Sequence, residues 1–316
     1  MKVLSLFDGI SCGMVALERA GIPVECYDAF EIDKYAVTVS KRNFPEIVHH
    51  GNVFDGDYTQ FLGYDLLLGG SPCTYWSISK HDREITSDGI GFKLFMEYAR
   101  ALRESKCRYF LYENNYSIHQ NIKDEITKFL GVEPIMINSA LVSAQSRKRC
   151  YWTNIPNVRQ PEDKGILLAD VLENAVPWQD KSYCMTSSYH RAVLWNTLER
   201  KQRTMVAKPV RLGQYGNGGR AERIYSVHGK SVTLSANAGG QGSKTWLYKI
   251  DLPDGDYTIR KLTPVEAERL QTLPDNYTAG ISNTQRYKCI GNGWTVDVIA
   301  HIVRGLRLNE RDDEKI

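Results

Sequence analysis

The first half of the chain alternates short, nearly continuous apolar runs with stretches whose apolar residues recur at helical spacing. "VLSLF" (3–7) predicts a buried strand that runs through "DGISCG" into the amphipathic "GMVALERAG". Ser11 is the expected N-cap of that helix, with Gly21 near its end and Pro23 closing it. "VECYDAF" (24–30), "IVHH" (47–50), "DLLLGG" (65–70), "YFLYEN" (109–114), "IMINSALV" (135–142) and "RCYWTNI" (149–155) complete seven candidate strands. The helical patterns "DKYAVTVSKRN" and "GFKLFMEYARALRES" fall between them. Strands that are apolar at almost every position, alternating with helices, predict a mostly parallel sheet covered on both faces. Ligands of such sheets sit beyond the carboxyl ends of the strands. The loops after residues 7, 30, 50, 70 and 114 should therefore surround one crevice.

The pattern changes after about residue 160. Helical periodicity fades, and eight of residues 213–242 are glycine, which predicts short strands joined by loops. Arg203, Arg211, Arg220, Arg223, Lys230 and Lys244 are interspersed there with Tyr215, Tyr225 and Trp246. Helix returns at "LTPVEAERLQTLP", where Thr263 and Glu266 form a capping box with Pro264 at the first helical position. A last amphipathic helix is expected over about 294–307. This division predicts a larger domain of residues 1–160 plus 285–316 and a smaller one of residues 161–284.

Composition adds boundaries. Forty basic against thirty-seven acidic residues leave +3, so total charge barely argues for a polyanionic partner. No apolar run approaches the roughly 20 residues of a membrane span, and the amino-terminal apolar stretch is too short for a signal peptide. Seven cysteines without framework spacing fit free thiols in a reducing compartment, and none has the spacing of a zinc site. A cytoplasmic protein without a metal is the expectation.

One cysteine is conspicuous. Cys73 stands behind Pro72 on a Gly-Gly-Ser-Pro corner, where an apolar strand ends, whereas structural cysteines favour apolar periodic segments. Near it in the predicted crevice fall Glu113, at the end of the strand "YFLYEN", and Arg147 and Arg149, at alternate positions of "QSRKR". A thiolate is a strong nucleophile when nearby positive charge lowers its pKa. Taken singly, these residues read as a corner cysteine, a solvated glutamate and a salt-bridged arginine pair; their convergence is what points to chemistry. The glycine-bearing turn "LFDGISCG" and Glu31, eighteen residues after Gly13, have the layout of a nucleotide site, in which the acid takes ribose hydroxyls.

In order along the chain, "LFDGISCG", "FEID", "GNV", "GGSPC", "ENN", "QSRKR", "LTPVEAERLQTLPD" and "GNGWTV" resemble the motifs of the C5-cytosine DNA methyltransferases. The resemblance implies a Rossmann-like S-adenosylmethionine-dependent sheet with a small, Gly-rich target-recognition region. It implies methylation of C5 of a cytosine flipped out of double-stranded DNA. Cys73 would add to C6, making C5 nucleophilic toward the sulfonium methyl of S-adenosylmethionine. Glu113 would bind N3 and the exocyclic amine, Asn114 and Pro72 would shape the loops, and Arg149 with Arg147 would contact the O2 side. The cofactor would lie on Phe7, Asp8, Gly9, Ile10, Ser11 and Cys12, with Glu31 on its ribose and Ile32 beside its adenine. Asn52, Val53, Leu94, Asn292, Gly293 and Trp294 would complete that pocket. The segment after Cys73, "TYWSISKHDREITSDG", would close over the flipped base.

Four positions depart from the family pattern: Asn52 replaces an aspartate, Ser11 and Cys12 stand where many relatives have glycines, and Asn115 replaces a valine. None removes a group the chemistry requires. Two alternatives share the motifs, a methyltransferase of cytosine in structured RNA and a catalytically silent DNA-binding relative. The resemblance leaves monomer and homodimer, restriction partner and phage origin open.

Overall fold

The structure, a computed structural model, describes residues 1–76, 82–209 and 257–313. Part of the predicted closing segment and most of the Gly-rich stretch, including Arg211, Tyr215 and Trp246, lie outside the described residues.

The chain runs β1 (Lys2–Leu6), α1 (Cys12–Ala20), β2 (Cys26–Phe30), α2 (Lys34–Asn43), β3 (Val48–His49), β4 (Leu66–Gly69), α3 (Ile90–Ser105), β5 (Tyr109–Asn115), α4 (Gln120–Leu130), β6 (Ile135–Asn138) and β7 (Lys148–Thr153). There follow α5 (Leu168–Val171), α6 (Leu194–Leu198), β8 (Met205–Pro209), β9 (Tyr257–Lys261), α7 (Pro264–Leu270), α8 (Asn283–Asn292) and α9 (Val296–Asp313). The first seven strands form one sheet in the order β3-β2-β1-β4-β5-β7-β6, and β8 pairs with β9. The order reverses between β1 and β4, which leaves a crevice beyond their carboxyl ends.

Both faces of the sheet are covered, and the two-residue period of a strand divides its side chains between them. In β4, Leu66 and Leu68 enter the core formed with α1 and α9, whereas Leu67 enters the opposite core with Tyr98 and Phe110. This two-sided burial is why these strands read as continuous apolar runs. On the first face α1 packs against α9, and the Arg19 guanidinium donates to Asp297 at 2.5 Å.

Strand β7 departs from the parallel expectation: it is antiparallel to both β5 and β6. Residues 139–147 are too few for the crossover a parallel pair requires. The predicted strand 135–142 stops at Asn138, whose Oδ1 accepts from the amides of Ala140 at 3.2 Å and Arg147 at 2.9 Å. Those bonds turn the chain into a short 3₁₀ segment. The predicted strand 47–50 shortens to Val48–His49.

The capping box of α7 forms as expected: Thr263 N–H donates to Glu266 Oε2 at 2.7 Å, and Glu266 N–H to Thr263 Oγ1 at 3.1 Å. Glu266 is fully buried and takes both Arg260 terminal nitrogens at 2.7 Å, tying β9 to α7. A third apolar core gathers around Leu168, Tyr189, Val206, Leu262 and Leu270, and it also takes Ala144, Tyr287 and Ile290 from beyond the stretch 161–284. No helix among the described residues is long and apolar enough to cross a membrane.

Candidate active site

The carboxyl ends of β1, β2, β4 and β5 open on a cavity of about 470 Å³, lined also by residues beside β3, α3 and β7 and by the loop between α8 and α9. This lies within the roughly 300–1,000 Å³ of small-molecule sites. Of the five loops expected at one crevice, those after residues 7, 30, 50 and 70 reach it; from the fifth region only Glu113, within β5, lines it, and the loop after 114 does not.

The β1–α1 turn forms one wall. Phe7, Gly9 and Ser11 have φ of 58°, 61° and 58°, so every second residue is left-handed. For the two non-glycines this costs about 1–3 kcal/mol each and requires local bonds to hold it. Asp8 supplies them. It accepts from the hydroxyls of Ser5 at 2.7 Å, Ser11 at 2.6 Å and Tyr27 at 2.7 Å. Ser11 is fully buried, its hydroxyl shared between Asp8 and Ser40 at 2.6 Å. It stands at the position before α1 but does not cap it. Phe7, Asp8, Gly9, Ile10 and Cys12 line the cavity; the structure does not bring Ser11 there. Burial pushes the Cys12 thiol up to about 12, which makes it a packing residue and no nucleophile.

Glu31 follows β2. Its Oε2 accepts from Gly9 N–H at 2.8 Å, and its Oε1 from Ile32 and Asp33 N–H at 2.8 and 2.7 Å. Burial raises its pKa, and these amides pull it back down. Beside it Ile32 is 75% exposed and Phe54 46%, two large apolar side chains presented to the cavity. Asn52 turns its Oδ1 to Phe54 N–H at 3.2 Å, opening a 3₁₀ turn in which Val53 is buried. Leu94, Asn292, Gly293 and Trp294 also line the cavity.

The opposite wall carries Cys73, Glu113 and Arg149. Cys73 opens a short 3₁₀ turn after Pro72, and its thiol is exposed to the cavity though protein surrounds it on most sides. That desolvation pushes its pKa up; Arg149 and Arg147 pull it down, and Glu113 and Cys184 push it up. Glu113 is almost buried: its Oε1 pairs with Arg149 Nε at 2.9 Å, and its Oε2 accepts from Trp294 Nε1–H at 3.0 Å. A Cβ on Gly70 would lie 3.0 Å from Glu113 Oε2 and 3.3 Å from Trp294 Nε1, so this close approach suits glycine. Asn114 lies behind the cavity, donating to Ser71 O and Tyr112 OH at 3.2 Å each, which ties the loop before Cys73 to β5.

The arginine pair divides. Arg147 is 4% exposed and spends its guanidinium on the carbonyls of Met185 at 2.8 Å, Gly291 at 3.2 Å and Gly293 at 3.0 Å. It fastens the loop that carries Trp294. Burial works against the charge of Arg149, but Cys184, Glu113 and Cys73 hold that guanidinium above its ordinary value. Two features escaped the sequence reading: the Trp294–Glu113 bond, between residues 181 apart, and Cys184, which touches both arginines. In sequence, Cys184 carries no signal beyond being a cysteine outside an apolar run.

An exposed thiol, a carboxylate and a guanidinium thus share one cavity with a strained glycine-bearing turn. The family model of the C-5 cytosine-specific DNA methylases matches residues 1–307, and the chain belongs to that family. The type II methyltransferase M.HhaI of Haemophilus parahaemolyticus is 31% identical, over 96% of this chain and 93% of its own length. M.NlaX of Neisseria lactamica is 28% identical over 100% and 99%. The orphan methyltransferase M.SPRI of Bacillus phage SPR is 24% identical over 97% of each. Among solved structures, the Entamoeba histolytica methyltransferase EhMeth superposes with a TM-score of 0.67 at 18% identity, covering 97% of this chain and 98% of its own. The protein is a DNA (cytosine-5-)-methyltransferase on a Rossmann-like fold of the S-adenosylmethionine-dependent class.

Proposed function

We propose that the chain methylates C5 of a cytosine flipped out of a short double-stranded DNA sequence, through a covalent bond between Cys73 Sγ and C6. The observation that carries this reading is the meeting of Cys73, Glu113 and Arg149 in the same cavity as the Phe7–Glu31 turn. That turn fits S-adenosylmethionine: Glu31 offers a carboxylate to ribose hydroxyls, and Phe7, Ile32 and Phe54 offer apolar surface to adenine. The bound cofactor supplies an electrophilic methyl on a sulfonium.

Extruding the base costs a few kcal/mol of lost stacking and pairing. Glu113, held by Arg149 and Trp294, faces N3 and the exocyclic amine, which fixes the ring as its electron density changes. Arg149 steadies the O2 side. Cys73 passes its proton to a neighbouring base and adds at C6; the C5–C6 π bond breaks and its electrons make the C4–C5 unit an enamine whose C5 can attack. After methylation C5 gives up its proton and the Cys73–C6 bond breaks, releasing the thiolate. The cavity wall formed by Pro72 and Gly70 presents the sulfur, and Arg147 holds the Trp294 loop against it.

The surface beside α6 offers a DNA face: Trp195 is 45% exposed with the Arg200 guanidinium 4.4 Å from its ring centre, and Arg191 and Lys201 are exposed nearby. The remaining recognition residues fall in the Gly-rich stretch 210–256, between β8 and β9. Residues 1–160 with 285–316 would hold cofactor and base, and 161–284 would read sequence.

Bisulfite sequencing of plasmid DNA from cells expressing the wild type and Cys73→Ala tests the reading. Protected cytosines in one short context, absent with Cys73→Ala, are expected. Protection that survives the substitution would overturn the thiol mechanism, and protection in neither would overturn DNA as substrate. A 5-fluorocytosine oligonucleotide should trap the wild type as a stable adduct, because fluorine blocks loss from C5.

A further inference from the structure

Cys184 lies outside every motif of the resemblance and does not line the cavity, yet its sulfur is held against both arginines of the site. It sits 3.5 Å from Arg147 Nη1 and 3.8 Å from Arg149 Nη2. The charges around it are unequal. Two guanidinium groups meet there, and Glu113 is the one carboxylate paired with either among the described residues. Arg147 otherwise bonds only neutral backbone carbonyls. This excess of positive charge favours one more anion beside it, and two sulfurs compete to be it: Cys73 on the cavity surface and Cys184 against the guanidinium edges.

We propose, building on the reading above, that Cys184 is a positioning residue that carries this second negative charge while the site is empty of base. Cys73 then rests as a thiol. A cytosine whose O2 takes Arg149 Nη2 weakens the Cys184 contact, and the charge moves to Cys73. The exchange balances: the Cys73 S–H bond breaks, a Cys184 S–H bond forms, and the site gains or loses no proton. The nucleophile is thereby generated by the arrival of its substrate, and an empty enzyme keeps its exposed cysteine in the less oxidisable form.

The titration behaviour agrees with the geometry. Burial raises the Cys184 pKa, but Arg147 and then Arg149 overcome it and leave the thiol below its ordinary value. Cys73 is held above its ordinary value, with Cys184 among the groups that raise it. The charged or titratable groups acting on this pair are Arg147, Arg149 on β7 and Glu113 on β5, with Tyr151 beside Arg149 kept neutral by burial.

The test uses the full-length protein without DNA. Thiolate formation is followed by ultraviolet absorbance against pH, and alkylation of Cys73 by iodoacetamide is followed by mass spectrometry, in wild type, Cys184→Ser and Cys73→Ser. A thiolate step below the ordinary thiol range is expected in wild type and Cys73→Ser and is lost in Cys184→Ser. At neutral pH, Cys73 alkylation in Cys184→Ser should be faster by about threefold or more, the equivalent of half a pKa unit. A step that survives in Cys184→Ser, or unchanged Cys73 alkylation there, overturns the proposal. Should Cys184→Ser fail to fold, Cys73→Ser decides alone: loss of the step would assign that thiolate to Cys73. Neither readout depends on methyl transfer, so absence of methylated cytosine would count against the proposed function alone.

Discussion

The two walls of the cavity are built differently. The cofactor wall is mostly local: Asp8, Ser11, Gly9 and Glu31 bond to one another or to residues no more than 29 positions away, and a long tie on the turn is the Tyr277 hydroxyl donating to Ile10 O. The base wall is assembled from afar: Glu113 meets Trp294 across 181 positions, and Arg147 meets Gly293 across 146. The first wall stores backbone strain and offsets it with neutral hydroxyl and amide bonds. The second stores charge, with two guanidinium groups, a carboxylate and two thiols within reach of one another. A local wall can hold its ligand in one geometry before anything binds. A charged wall changes with each proton, which suits the covalent step proposed for it.

The largest expected effect belongs to the charged wall. Glu113→Gln keeps the shape but removes the anion opposite Arg149, and the loss of a positioned electrostatic partner lowers kcat by about 10²–10⁴-fold. Single-turnover methylation should show this fall, while calorimetry finds S-adenosylmethionine affinity within about twofold of wild type. If affinity fell as far as turnover did, the two walls would not be separable.

Glu31→Ala attacks the local wall and should do the reverse. It removes the ribose acceptor and leaves three backbone amides without theirs, weakening S-adenosylmethionine binding by about 10–100-fold, or about 1.4–2.7 kcal/mol. Alkylation of Cys73 by iodoacetamide should be untouched. The pH dependence has a definite sign. Burial raises the Glu31 pKa, and the carboxylate is the binding form, so affinity should stay flat above that raised value and fall as pH drops through it. Affinity that climbs on acidification would mean the neutral acid is what the cofactor meets.

The same contrast governs what the sequence could reveal. The β1–α1 turn and Glu31 were legible because their spacing is short and glycine marks the turn. The sheet was legible for a related reason: two-sided burial leaves Val3, Leu4 and Leu6 of β1 and Leu66, Leu67 and Leu68 of β4 in near-continuous apolar runs. The direction of β7 was legible only in the short connection of residues 139–147, since apolar pattern says nothing about which way a strand runs. On the base wall, Cys73 and Glu113 were readable from their loops, but their partners were not. Arg147 and Arg149 look equivalent at alternate positions, and only folding shows that one faces carbonyls and the other a carboxylate. Asn52 likewise reads as an adenine contact; it does line the cavity, but the bond its oxygen accepts from Phe54 N–H is not visible in the sequence.

The smallest effect falls where the walls meet. Trp294 lines the cavity with its ring and donates its indole N–H to Glu113, so it belongs to both. Trp294→Phe keeps most of the apolar surface and removes one hydrogen bond to a carboxylate, typically worth about 1.5–3 kcal/mol for a charged acceptor. Solvent reaching the open cavity will replace part of that bond, so kcat should fall by only about 3–10-fold, roughly 0.7–1.4 kcal/mol. Because the ring contact is largely kept, S-adenosylmethionine affinity should drop less than kcat. Stopped-flow chemistry and calorimetry on one preparation would separate the two. A larger loss in affinity than in kcat would place Trp294 with the cofactor wall, and its bond to Glu113 would then be incidental to the chemistry.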